Sequence, residues 1–87
     1  MAASEDIMTE WQPIIVRAYA GYCAEESPRA FRLGSTWYRV TRVFARTWEQ
    51  TVEGREFRLF RVMTEDGKVF TLRYDIESES WFVETQV

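Results

Sequence analysis

A chain of 87 residues with one cysteine and no histidine cannot close an internal disulfide or gather the Cys and His ligands of a structural zinc site. It also lacks the commonest general base. Apolar residues make up 46% and aromatics 16%, enough for one small core and no more, since a chain this short buries only about 60% of its unfolded surface.

The net charge of −3 is unevenly spread. Five acids and Arg17 leave residues 1–28 at −4; eight arginines against three glutamates put 29–61 at +5; Lys68 and Arg73 against six acids put 62–87 at −4. A cationic centre of this kind either meets an anionic partner or is neutralised by its own flanks across a sheet. The acidic start "MAASEDIMTEW" lacks the basic-then-apolar pattern of a signal peptide. No apolar run approaches the roughly 20 residues of a membrane span. A cytoplasmic protein is expected, with no membrane contact, no metal and no cofactor.

Residues 1–12 read as an N-terminal arm or short helix. Ser4 is a candidate N-cap, Ile7 and Trp11 share a face, and Pro13 stops the turn. From residue 13 to 87 the pattern is that of a single antiparallel β domain. "PIIVRAYA" predicts a strand over about 14–20, and "GYCAEESP" a loop. Gly34-Ser35 fits a two-residue type II′ turn, which pairs Leu33 with Thr36, Arg32 with Trp37 and Phe31 with Tyr38. For "MTEDGKV", a two-residue Asp66-Gly67 loop scrambles the faces. A three-residue loop with left-handed Gly67 sets Val62 opposite Phe70 and Phe60 opposite Leu72. A four-residue loop over 76–79 sets Tyr74 opposite Trp81 and Leu72 opposite Val83.

The long strand from Thr36 to about Glu49 breaks its own alternation at Arg42. A β-bulge near Thr41-Arg42 repairs it, and a four-residue loop "TVEG" then sets Val43 opposite Val62, Ala45 opposite Phe60 and Glu49 opposite Glu56. The alternative keeps Phe44 inward without a bulge but buries Arg42 and Arg46, at several kcal/mol for each unpaired charge. The expected fold is all-β: a strongly bent antiparallel meander of about six strands, forming a small, partly open barrel. Its inner wall is Phe31, Tyr38, Val40, Val43, Ala45, Phe60, Val62, Phe70, Leu72, Tyr74, Trp81 and Val83, closed on one side by Ile14 and Val16.

These registers leave an outer face with Arg46, Leu59, Arg73 and Phe82 in one row and Phe44, Arg61 and Thr71 in the next. Trp37 and Arg32 stand at one end, Trp48 and Phe57 at the other. Three readings apply to it. Ile7, Met8 and Trp11 cover part of it; or it meets another protein, since Arg and aromatics are enriched at interface cores; or bases stack on Trp37 and Phe44 while Arg39, Arg42 and Arg46 track phosphates. An acidic chain argues against the third. The candidate binding residues are Trp37, Arg39, Arg42, Phe44, Arg46, Leu59, Arg61, Arg73 and Phe82.

Catalytic candidates are few. Cys23 has no His partner, and Glu25 and Glu26 oppose a thiolate. Asp75, Glu77 and Glu79 alternate as calcium ligands do, but lack the central Gly and terminal Glu of that loop. The four glycines are scattered, at 21, 34, 54 and 67, so no phosphate loop is present.

The string "GYCAEESPRAFRLGSTWYRVTRV", followed by Trp48 and "FRVMTEDGKVFTLRYDIESESWFV", resembles a family of short bacterial proteins of unknown function. It is also similar to the C-terminal segment of catalytically inactive Y-family polymerase-like proteins of bacterial mutagenesis cassettes. The likeness spans roughly residues 14–83. It implies a cytoplasmic bacterial protein without a known activity, and it favours a partner in replication or repair, DNA included. The expectation is a non-catalytic binding or accessory module with a protein partner, the alternative being a weak single-stranded nucleic-acid binder.

Overall fold

The computed structural model describes residues 9–18 and 27–86, and among them the chain is all-β. β1 (Thr9–Ala18), β2 (Pro28–Leu33), β3 (Thr36–Gln50), β4 (Glu56–Thr64), β5 (Val69–Asp75) and β6 (Ser80–Gln86) form an antiparallel meander, and β1 returns to bond β6. The barrel is closed, not partly open as expected.

Closure depends on two strands that each serve two neighbours. β1 bonds β6 from Thr9 to Ile14 and β2 from Ile15 to Ala18. β3 bonds β2 from Thr36 to Arg39 and β4 from Val40 onward. The closing pairs come from residues read as helix end and stop signal: Trp11 lies opposite Glu84, and Pro13 opposite Phe82. Proline is tolerated because this half of β1 has one strand neighbour, so alternate N–H positions need no ladder partner. Residues 4–8 of the expected helical turn, and residues 19–26 with Cys23, lie outside the described residues.

Three hairpins adopt the expected registers. Gly34 takes φ +66° in the two-residue turn, and Phe31 faces Tyr38. Thr64 N–H donates to the Lys68 carbonyl at 2.8 Å across the 65–67 loop, with Gly67 at φ +85°. Leu72 faces Val83 and Tyr74 faces Trp81. The 76–79 loop ends on Glu79 at φ +56°, a left-handed position occupied by a residue with a Cβ.

The β3–β4 hairpin differs from expectation. Its bulge at Thr41 is present and Val43 faces Val62, but the loop has three residues, not four. Thr51 N–H donates to the Arg55 carbonyl at 2.8 Å and Gly54 N–H to the Thr51 carbonyl at 2.9 Å, with Gly54 at φ +92°. This repeats the 64–68 turn bond for bond. The shorter loop moves the register by one residue, so Gln50 faces Glu56, Arg46 faces Phe60 and Ala45 faces Arg61. A second shift between Val43 and Ala45 absorbs the difference.

Phe31, Phe60, Val62, Leu72 and Val83 form the buried core, lined by Ile14, Val16, Leu33, Tyr38, Val40, Val43, Phe70, Tyr74 and Trp81. Ala45, expected on this wall, is exposed because its register partner is the outward Arg61. Aromatic packing falls into two groups. Phe31 stacks on Tyr38 at 5.3 Å and meets Phe70 edge-on at 5.1 Å; Trp81 packs on Phe60 at 5.4 Å and Tyr74 at 4.9 Å.

Gly54 and Gly67 have open space where a Cβ would go, so only the backbone conformation opposes substitution. Gly54→Ala and Gly67→Ala are each expected to lose about 1 kcal/mol, and Glu79→Gly to gain a similar amount, as read by urea denaturation.

Candidate binding surface

The outer face follows from which residues oppose the buried ones. Thr47, Leu59, Arg73, Phe82 and Pro13 make one row across five strands. Ala45, Arg61, Thr71 and Arg42, Met63, Val69 make the next two. Of the expected rows, Leu59, Arg73, Phe82, Arg61 and Thr71 keep their places. Arg46 does not: it faces Phe60, on the inner side of the hairpin, and hydrogen-bonds the Ser27 hydroxyl. Phe44 is not in the Arg61 row either. It sits in the second bulge, 43% exposed, with the Arg42 guanidinium 5.2 Å from its ring centre. Trp48 faces Arg58, on the inner side of the hairpin rather than at the end of the outer face, and is 63% exposed.

Arg73 is the centre of a packed outer cluster. Its guanidinium carbon lies 4.2 Å from the Trp11 ring centre, 4.3 Å from Phe57 and 5.8 Å from Phe82. Covered on the outside in this way, Phe57 is buried although its parity points it outward. Burial pushes the Arg73 guanidinium below its ordinary pKa, and its Nε has no hydrogen-bond partner. Arg73 thus joins the first strand to the fourth, fifth and sixth. Trp11 covers the outer face in part, as one expected reading had it, but from a strand.

The carboxylates of the 75–79 loop serve the backbone. Asp75 is buried, and its Oδ1 accepts from the N–H groups of Glu77 at 3.1 Å and Ser78 at 3.4 Å. Its Oδ2 accepts from Arg55 Nη2 at 2.7 Å, and Glu77 lies 3.6 Å from the same guanidinium. The Arg55 hydrogen bond holds the Asp75 carboxyl below the usual carboxylate range. Among the described residues no group of three or more His, Cys, Asp or Glu side chains is placed to hold a metal, and no helix is long and apolar enough to cross a membrane.

Trp37 and Arg39 lie apart from the Phe44 and Arg73 faces. Arg17, Ala30 and Arg39 form one row across β1, β2 and β3, and Ile15, Arg32 and Trp37 the next. Arg17 lies over the Trp37 ring at 5.2 Å. Ala30 is the small residue between two arginines, and a groove of about 530 Å³ opens there, lined also by Arg29, Tyr38, Val40 and Glu65. Sequence parity reaches Arg32, Trp37 and Arg39 through the Gly34 turn. It misses Arg17, because the pairing of β1 with β2 spans a connection with no turn signal to set its register. No family model, curated protein or solved structure matches the chain.

Two outcomes test this surface. Arg73→Ala is expected to cost about 1–2 kcal/mol through the lost guanidinium–ring contacts, measured by thermal or urea denaturation. A depressed carboxyl pKa contributes stability that is present above the unfolded value and lost as pH falls through the folded value. The stability difference between wild type and Asp75→Asn is therefore expected to be full at neutral pH and to shrink on acidification below about pH 4. Denaturation midpoints across that range provide the measurement.

Proposed function

We propose that the chain is a small non-catalytic binding or accessory module that meets a protein partner through the outer face of β3, β4 and β5. The observation that carries this reading is the state of Phe44 and Val69. They remain 43% and 48% exposed on the outer side of a closed barrel, while the other exposed large apolar side chains among the described residues, Ile15, Trp37, Trp48 and Val52, lie on other faces or on a loop. Met63 lies between Arg42 and Val69 in the same row, and Arg61 borders the patch in the next. A central aromatic with apolar neighbours and arginines at its edge is the usual composition of an interface hot spot. Leu59, Arg73 and Phe82 adjoin it but are occupied with one another and with Trp11, so the patch narrows to Arg42, Phe44, Arg61, Met63 and Val69. The non-catalytic part of the reading is supported by the absence of histidine and by the commitment of Asp75 and Glu77 to Arg55. The resemblance to the mutagenesis-cassette segment favours a bacterial cytoplasm and a replication or repair partner.

A photo-crosslinking amino acid placed at position 44 in the native cell tests it, with position 52 as control because Val52 is fully exposed on a loop. A discrete protein adduct at 44, absent at 52 and lost in Arg42→Glu and Arg61→Glu, is the expected result. Equal adduct patterns at the two positions would remove the proposal.

A further inference from the structure

We propose that the groove over Ala30 on the β1–β2–β3 face is a second site, one that takes a short stretch of single-stranded nucleic acid without reading its sequence. It is independent of the Phe44 patch, and each stands or falls without the other.

The groove exists because β3 changes partner. Arg39 is the last residue of β3 paired with β2, and Val40 the first paired with β4, while Glu65 N–H donates to the Arg39 carbonyl at 2.8 Å. Side chains on either side of that divergence do not close over Ala30. Its walls carry Arg17 and Arg39, two arginines in one cross-strand row with Ala30 between them. Against these and Arg29, the groove is lined among the described residues by a single acid, Glu65. Its charge is thus opposite to that of the whole chain, and an anion is the complementary ligand.

The second feature selects among anions. Trp37 is 45% exposed at the groove, and the Arg17 guanidinium over its ring extends the same stacking platform. A flat π surface beside paired cations suits a ligand with a planar ring and a phosphate in each repeat. An acidic peptide satisfies the arginines and leaves the indole unused. A duplex satisfies the phosphate contacts but keeps its bases stacked away from Trp37. The groove volume of about 530 Å³ lies within the range of pockets that hold small organic ligands, so one nucleotide unit fits. Stacking on an indole is open to every base, hence the sequence tolerance. With only two or three arginines to meet phosphates, the expected affinity is low and falls as salt rises.

Fluorescence anisotropy of a labelled oligothymidylate with the full chain, from low to moderate salt, tests the proposal beside two other polyanions. One is an abasic strand of equal length; the other is a polyglutamate peptide of equal charge. The oligothymidylate is expected to bind about tenfold more tightly than the abasic strand. Trp37→Ala should erase that difference and leave abasic binding unchanged, while Trp37→Phe restores part of it. Arg39→Ala should lower the salt slope of log K by about 0.7, the value of one phosphate on a single strand. Trp48→Ala, at an exposed indole outside the groove, should change nothing. Amide NMR spectra establish that each variant is folded, and Trp37→Phe serves if Trp37→Ala is not. No oligothymidylate binding at low salt overturns the proposal. So does equal binding of all three polyanions, or an equal effect of Trp37→Ala and Trp48→Ala.

Discussion

β3 must leave one neighbour and join the next within a single residue, and most of what is distinctive in this barrel follows from that. Six short strands close only if some of them bend enough to lend each half to a different partner. β3 makes the bend with two register shifts in quick succession, at Thr41 and Phe44. Each shift reverses the alternation of side chains. The first turns Arg42 outward and Val43 inward; the second leaves Phe44 exposed and brings Arg46 opposite Phe60. The divergence at Arg39 and Val40 opens the groove over Ala30. Both proposed surfaces are therefore by-products of closing the sheet, placed where the pleat is interrupted and side chains cannot cover one another.

The arginines divide between structure and surface. Arg55 holds the 75–79 loop through Asp75, and Arg73 fills the space between Trp11 and Phe57. A guanidinium suits the second task because its flat faces accept aromatic rings while its edge stays polar. A lysine ammonium has no such faces, and an aliphatic chain would expose a larger apolar area. With a core cluster as small as Phe31, Phe60, Val62, Leu72 and Val83, the domain gains from every such outer contact. What remains for a partner is a smaller set, with Arg17 and Arg39 on one face and Arg42 and Arg61 on the other.

Much of the sheet was legible in the sequence because hairpin turns declare their own length. Gly34-Ser35, Glu65-Asp66-Gly67 and the 76–79 loop each set a register that the structure shows. The 51–55 turn carries the same signal as 64–68, a threonine followed three residues later by glycine, yet its loop is one residue shorter than the four expected from "TVEG". That one residue places every side chain from Ala45 to Gln50 on the face opposite to expectation, since the side-chain period of a strand is two. Thr47 therefore stands in the outer row where Arg46 is expected. The closing strand begins at Thr9, ahead of Pro13, where the sequence suggests a stop. Only the pairing with β6, some seventy residues distant in sequence, shows why a proline is tolerated there. The candidate site was legible in kind, as arginine and aromatic on an outer face, but not in its division. Which arginines stack inward on Trp11 and Phe57, and which remain available, is a property of the closed barrel.

The net charge conceals how the charges are arranged. Glu49, Glu53, Glu56, Asp75, Glu77 and Glu79 gather at the end of the barrel formed by the 52–54 and 76–79 loops, where Arg55 joins two of them. The row of Arg17 and Arg39 lies toward the opposite end, past the bend in β3. Between exposed charges the interaction decays over about 8–10 Å at physiological salt, so an approaching anion responds to the nearer end rather than to the sum. An acidic isoelectric point therefore does not argue against a polyanion at the Ala30 groove. It argues that such a ligand approaches in one orientation, with its trailing end directed away from the acidic loops, and that contacts beyond the groove add little.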